Sequence, residues 1–445
     1  MIKTEKKITE LVAGAATTNI TPLDPHFLFG YPHVERISEG VNDWLLSSAL
    51  YLANGTNQIL FISNDIIYIN KASTARIRKE VFQKTGIPSC NIMISATHTH
   101  SGPITTDILS SLNDPVVPKV DIKYVHYMED KIIESACNAF QNATSAKAGF
   151  LLADGTGVGT NRHSPTGPLD MEVPALVIKK TNNEFVACLL VCNMHPTILH
   201  ENSKLYSGDF PAYAKEILQK KYLGCECPVI YFTGAAGNQS PRHVTKENTF
   251  EEAHRIGNII AKAVGTKINE GLEYSSEVSI LSLQKMVNLP KRQFPKLEFA
   301  EKNQKKCLER FEFLKKTSDN APQIRTAEVD WFGSEELLSL TKLSEEGALE
   351  KVYKSCLPAE IQIFKIGSLC FVAWPGEIFI EYELELKKKR DNIFLMTLSN
   401  GELQGYMATK EAVDKGYYEA SNSLFQYSAG NILVNETLNL LKTIE

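Results

Sequence analysis

Two rhythms of hydrophobic and polar residues run through this chain. Short continuous apolar runs, rich in β-branched residues and bounded by Gly, Pro, Asn or Asp, occur at 58–64, 91–96, 185–192, 228–232 and 369–374. Runs of that length and composition predict strands buried on both faces. Between them, apolar positions recur at three- and four-residue spacing and predict helices over 72–85, 123–141, 210–222, 250–268 and 429–443. Strands alternating with helices indicate an α/β fold, a mixed β-sheet core covered by helices. At about Leu289 the pattern changes. Residues 290–354 are densely charged and predict two helices, over 298–316 and 334–353, before strand character returns at Ile361. We read this segment as a charged helical insertion within a single domain spanning residues 1–445, packed on the sheet or lying over a pocket. There is no internal repeat.

The residues that follow the strands carry the chemistry. The run 91–96 leads into Thr97-His98-Thr99-His100, and Ser101-Gly102-Pro103 then stops it. In extended backbone, residues two apart project to one face, so both imidazoles are expected to point the same way. The run 185–192 leads into Asn193-Met194-His195-Pro196, and the run 369–374 into Pro375-Gly376-Glu377, ahead of a helical pattern from Ile378. Sheets of this class place their chemistry at the carboxyl ends of strands. Two imidazoles and a glutamate form a catalytic zinc set with an open position for water. Singly, each histidine has an ordinary explanation as a hydrogen-bonded residue at a strand end. Glu377 alone is explained as charge in the first turn of a helix, worth under about 1 kcal/mol. Repetition of the pattern at three strand ends favours convergence on a divalent metal.

At these motifs the chain resembles the neutral/alkaline ceramidases, zinc-dependent amidases that release a fatty acid from ceramide. Thr97-His98-Thr99-His100-Ser101-Gly102-Pro103 is the most specific match. Asn161-Arg162 with Ser164-Pro165 resembles an Asn-Arg-Ser-Pro element into which His163 is inserted. Val12 to Pro22, Phe29-Gly30-Tyr31, Ser207-Gly208-Asp209, the loop Gly234 to Pro241, Pro375-Gly376-Glu377, Gly405-Tyr406-Met407 and Tyr418-Glu419-Ala420-Ser421 follow in the family's order. The resemblance implies one Zn2+ per chain, with His98, His195 and Glu377 as ligands and Tyr406 as a further one. It implies a catalytic or metal-supporting role for His100 and a place beside the scissile carbonyl for Arg162. Members of that family carry a carboxyl-terminal β-sandwich domain, and none is expected here.

Such a set suits hydrolysis. Zinc on neutral imidazoles and a carboxylate brings the pKa of its water to about 7. Arg162, His100 or the metal would stabilise charge developing on a carbonyl oxygen, and His100 is the candidate proton donor to a leaving amine. Asp65 and Asp209 read as helix caps or histidine-orienting groups, and the loop Gly234 to Pro241 as a substrate-side wall, since it lacks the Gly-Lys-Ser/Thr ending of a P-loop.

Composition narrows the partners. A net charge of −5 argues against nucleic acid, and the cluster Lys387-Lys388-Lys389-Arg390 reads as a solvated helix end. No run approaches the roughly 20 apolar residues of a membrane span, and Met1 to Lys7 lead into no apolar signal segment. Nine scattered cysteines suit thiols in a reducing cytoplasm. A cytoplasmic enzyme points to a small-molecule or N-acylated substrate, with ceramide and smaller amides as the candidates. Alternatives are an ester or glycoside hydrolase on the same scaffold, or a non-catalytic metal-binding protein. An amidohydrolase barrel would need a later metal-bridging set that the sequence does not offer. A metallo-β-lactamase fold would need Asp after His100, where Ser101 stands.

Overall fold

The computed structural model describes residues 10–444 apart from positions 56, 110, 111 and 113, so Met1 to Lys7 lie outside the described residues. Eight strands form the larger sheet: β1 (Val12–Asn19), β2 (Leu46–Asn54), β3 (Asn57–Asn64), β4 (Ile92–Ala96), β5 (Thr144–Asp154), β6 (Glu172–Lys180), β7 (Phe185–Cys192) and β8 (Val229–Thr233). Their order is β8-β7-β6-β5-β1-β2-β3-β4. The inner pairs are antiparallel, while β3 with β4 and β7 with β8 run parallel. A second sheet, in the order β9 (Ile280–Val287), β10 (Ala359–Ile366), β11 (Leu369–Ala373) and β12 (Ile393–Met396), also ends in a parallel pair. The sheet is therefore mixed, as the alternating pattern predicts.

Alternate residues of each strand enter different cores, which is why the strands read as continuous apolar runs. Ile59, Phe61 and Met93 join Leu189, Val191, Ile230, Phe364 and Phe371 in a central cluster between the sheets. Leu60, Ile62, Ile92 and Ile94 face outward under α1 (Lys71–Thr85) and α2 (Ile122–Gln141). On the other half, α3 (Phe210–Leu218) and α4 (Phe250–Glu270) cover β7 and β8. Phe61 is the keystone of the central cluster, with the rings of Phe364, Phe371 and Phe232 at 5.0, 5.8 and 6.0 Å. Its truncation to Ala would cost roughly 3–5 kcal/mol.

Helix ends follow local chemistry. Asn70 caps α1 through Ser73 N–H and Gly86 ends it at φ 74°. Asp209 caps α3 by accepting from Phe210 N–H. That helix stops earlier than its pattern predicts, passing into a π turn over Gln219–Leu223 before Gly224. The charged segment holds α5 (Leu297–Thr317), α6 (Ala321–Glu345) and α7 (Leu349–Cys356). The helix predicted over 334–353 is thus two elements. Asn320 caps α6 through Gln323 N–H, with proline in the first turn, and Gly347 at φ 71° separates α6 from α7. Two further helices, α8 (Ile380–Lys389) and α9 (Ser428–Leu441), cover the second sheet. Lys387 is no solvated helix end: its ammonium pairs with Asp170 at 2.5 Å and Glu172 at 2.9 Å. Among the described residues no helix is long and apolar enough to cross a membrane.

Candidate metal centre

The three parallel pairs of the two main sheets present their carboxyl ends to one place. β4 stops at Ala96, and His98 N–H bonds to the Ile66 carbonyl at 2.9 Å with His98 at φ 69°. His98 and His100 therefore do not share a strand face; a left-handed residue, rather than strand alternation, turns them together. Beyond β7, His195 follows Asn193, whose side chain accepts from Ala235 N–H at 2.8 Å. Beyond β11, Gly376 turns at φ 84° and Glu377 pairs in parallel register with Tyr406. Gly30 is required for a different reason: a Cβ there would lie 2.5 Å from the His100 ring.

Each imidazole is held from behind by a carbonyl. His98 Nδ1 lies 2.9 Å from the Ile67 oxygen, His195 Nδ1 2.8 Å from Ala236, and His100 Nδ1 3.0 Å from Gly30. A carbonyl only accepts, so each Nδ1 carries the hydrogen and each Nε2 presents a lone pair. These lone pairs face one another. His98 Nε2 is 3.0 Å from His195 Nε2 and 3.4 Å from His100 Nε2. Glu377 Oε2 lies 3.3 Å from both His98 and His195 Nε2 and finds no hydrogen-bond partner among the described residues. Four acceptors packed together need a cation between them. Tetrahedral zinc ligands at 2.0–2.1 Å stand about 3.3 Å apart, the spacing of this donor set. The donor atoms of His98, His100 and His195 all lie within 4.8 Å of one another.

Electrostatics agree. Burial, together with Arg162, lowers the His195 pKa to about 4. Burial and the neighbouring imidazoles push His100 well below its usual value. Both rings are neutral, the form that binds metal.

A ring of further groups surrounds the donors. Tyr68, which no motif singles out, donates its hydroxyl to Glu377 Oε1 at 2.7 Å. The Arg162 ion pair with Glu419 spans 3.1 Å, and its Nη2 lies 3.0 Å from His195 Nδ1. Arg162 Nε is buried with no acceptor among the described residues. The guanidinium lies 5.9 Å from the centroid of the Tyr406 ring. His163, the inserted residue, bonds the other Glu419 oxygen at 2.9 Å and stacks on Tyr417, so the insertion leaves Arg162 directed at the centre.

Two expectations change, and a third holds. The loop Gly234 to Pro241 is not a substrate-side wall. Its Ala236 carbonyl orients His195, Gly237 N–H bonds Ile378, and Asn238 accepts from Ile380 N–H, so it ties two ligand loops together. Asp65 neither caps a helix nor orients a histidine, and instead pairs with buried Lys215 at 2.6 Å. Asp209 caps α3 as expected, and also accepts from Ile198 and Leu199 N–H, which fixes the turn after His195.

α6 roofs the site. Trp331 stacks on His33 at 5.1 Å, Glu335 accepts from His33 at 2.6 Å, and Arg325 pairs with Glu201 at 2.9 Å. Glu336 accepts from the Tyr418 hydroxyl at 3.1 Å. Beneath it three of the four donors are almost sealed from solvent, with His98 1%, His195 2% and Glu377 4% exposed, while His100 is part-exposed.

A mixed sheet under helices, with imidazoles and a carboxylate at its parallel strand ends, defines a class: the fold of the neutral ceramidases. The chain superposes on a neutral ceramidase from Pseudomonas aeruginosa with a TM-score of 0.75, over 97% of this chain and 74% of that one, at 16% sequence identity. A ceramidase structure complexed with C2 gives a TM-score of 0.74 over 97% and 75% of the two chains, at 14% identity. No protein-family model matches the sequence.

Proposed function

We propose that this chain is a zinc-dependent hydrolase that cleaves an amide (N-acyl) bond, with one Zn2+ held by His98, His195 and Glu377 and the Tyr406 phenol as a further ligand. The observation that carries it is the convergence of imidazole lone pairs on a Glu377 oxygen with no other partner. Similarity in fold to ceramidases supports the bond type. When bound, zinc would bring a water to a pKa of about 7 and polarise the carbonyl.

The chain's own groups supply the rest. Backbone carbonyls at Ile67 and Ala236 fix the tautomers of His98 and His195. Tyr68 steadies Glu377 through its second oxygen. Arg162 offers its unpartnered Nε–H to the carbonyl oxygen as charge develops there. His100, with Nδ1–H tied to Gly30, offers Nε2 to take the proton of the attacking water and pass it to the leaving amine. The α6 roof keeps bulk water out, which strengthens each of these interactions. The substrate is an N-acylated small molecule, with ceramide at the large end of the range, and the scattered cysteines favour a cytoplasmic setting.

The test is release of fatty acid and amine from a panel of N-acyl compounds, ceramide included, by the zinc-loaded chain. Release by the wild type, lost in metal-free His98→Ala and Glu377→Ala, is the expected result. Cleavage of esters or glycosides only would replace the amide assignment. Zinc bound without turnover would make this a metal-binding protein.

A further inference from the structure

We infer that Glu336, on α6, recognises a hydroxyl group that the substrate carries beside the bond being cut. The inference rests on the amide-hydrolase reading above and adds a specificity-determining residue to it. Glu336 lies in the charged segment, which carries no metal motif, yet its side chain turns inward and the residue is only 8% exposed. One carboxyl oxygen accepts from the Tyr418 hydroxyl at 3.1 Å. The other, Oε2, is buried and has no hydrogen-bond partner among the described residues.

Its surroundings place that oxygen at the site. The Tyr418 ring lies 6.1 Å from that of Tyr406, the residue in register with Glu377. Glu377 and Glu419 both lie close enough to act on the Glu336 carboxyl, alongside its neighbour Glu335. A polar atom buried without a partner is costly, and a position that keeps one has a use for it. Burial raises the Glu336 pKa to about 8 against the opposing Tyr418 hydrogen bond, with the three glutamates adding to the rise. At neutral pH the group is thus a carboxylic acid with one O–H donor and an acceptor oxygen, the complement of an alcohol, which both donates and accepts. A site whose buried polar group waits for a substrate hydroxyl discriminates against the analogue that lacks it.

The test uses two uncleavable ligands that differ only in hydroxyls, the octane-1-sulfonamides of 2-amino-1,3-propanediol and of isopropylamine. Their affinities for the zinc-loaded chain are measured by calorimetry. The diol analogue is expected to bind the wild type about 10- to 100-fold more tightly. Glu336→Leu and Glu336→Ala should abolish the difference, and Glu336→Gln, which keeps a donor and an acceptor, should retain it. Either of the first two, shown folded by its zinc content, gives the readout. Equal affinities in the wild type, or a preference that survives both variants, would overturn the inference. Failure of the hydrolase reading looks different: a Glu336-dependent preference for the diol, with no release of amine from the corresponding carboxamides.

Discussion

The floor and the roof of this site each hold a buried glutamate, and the two have opposite surroundings. Glu377, on the floor, sits at a strand end with one oxygen 3.3 Å from the Nε2 atoms of His98 and His195 and no hydrogen-bond partner for it among the described residues. Glu336, on the roof, sits on a helix among other acids and is held protonated, with a pKa of about 8. The floor is electrostatically incomplete, since its four acceptors face one another with no hydrogen between them. The roof is closed by partners the protein itself supplies: His33 on Glu335, Glu201 on Arg325, and Trp331 over His33. Our proposals assign a cation to the floor and a polar part of the substrate to the roof. Rigid strand ends hold the candidate donors, while stacking and part-exposed ion pairs hold the cover.

The largest effect that would break this contrast is loss of the metal. His98→Ala and Glu377→Ala should each lower bound zinc from about one per chain to background, read by elemental analysis after dialysis. Zinc retained by both would mean the floor donors do not converge on it. Next is Arg162→Ala. It should keep its zinc and lose roughly 100- to 1,000-fold in kcat, the effect of removing one donor to a developing oxyanion. Equal loss of zinc would reassign Arg162 to holding His195. Third, Tyr68→Phe removes the hydrogen bond behind Glu377 and should weaken zinc affinity by about 10- to 100-fold, measured by competition with a chelator.

The smallest effect sharpens the roof side. Glu336 has a folded pKa near 8 and an ordinary unfolded value of 4.5. Between those values the native state binds the extra proton, so stability falls as pH rises through the window. Glu336→Gln should match the wild type near pH 4.5 and exceed it in melting temperature above pH 8. Parallel pH profiles would place an ionised, partnered carboxylate at this position.

The floor was legible in the sequence because its signals are local. His98, His195 and Glu377 each follow a run of apolar residues and stand within a few residues of a breaker, so strand ends and candidate ligands are read from the same few positions. The geometry behind it was only partly legible. The strand stops at Ala96, and His98 turns at φ 69°, a conformation that histidine adopts rarely and that no pattern announces. Tyr68 stands in an ordinary loop after β3, and its partner Glu377 is 309 positions away, so only tertiary contact reveals it. The roof was hidden for a related reason. Charge along 290–354 reads as a solvated face, and the inward residues Trp331, Glu335 and Glu336 find His33 and Tyr418 far away in the chain. The one local signal there, Asn320 ahead of Ala321-Pro322, marks the start of α6 and corrects the predicted helix.

The most direct measurement is a zinc titration of the metal-stripped chain, with amine release from an N-acyl substrate followed in the same samples. Release that is absent at the start, rises linearly and levels at about one equivalent is the expected result. Release that is present before zinc is added, or absent at every ratio while zinc binds, would contradict a zinc amidase built on His98, His195 and Glu377.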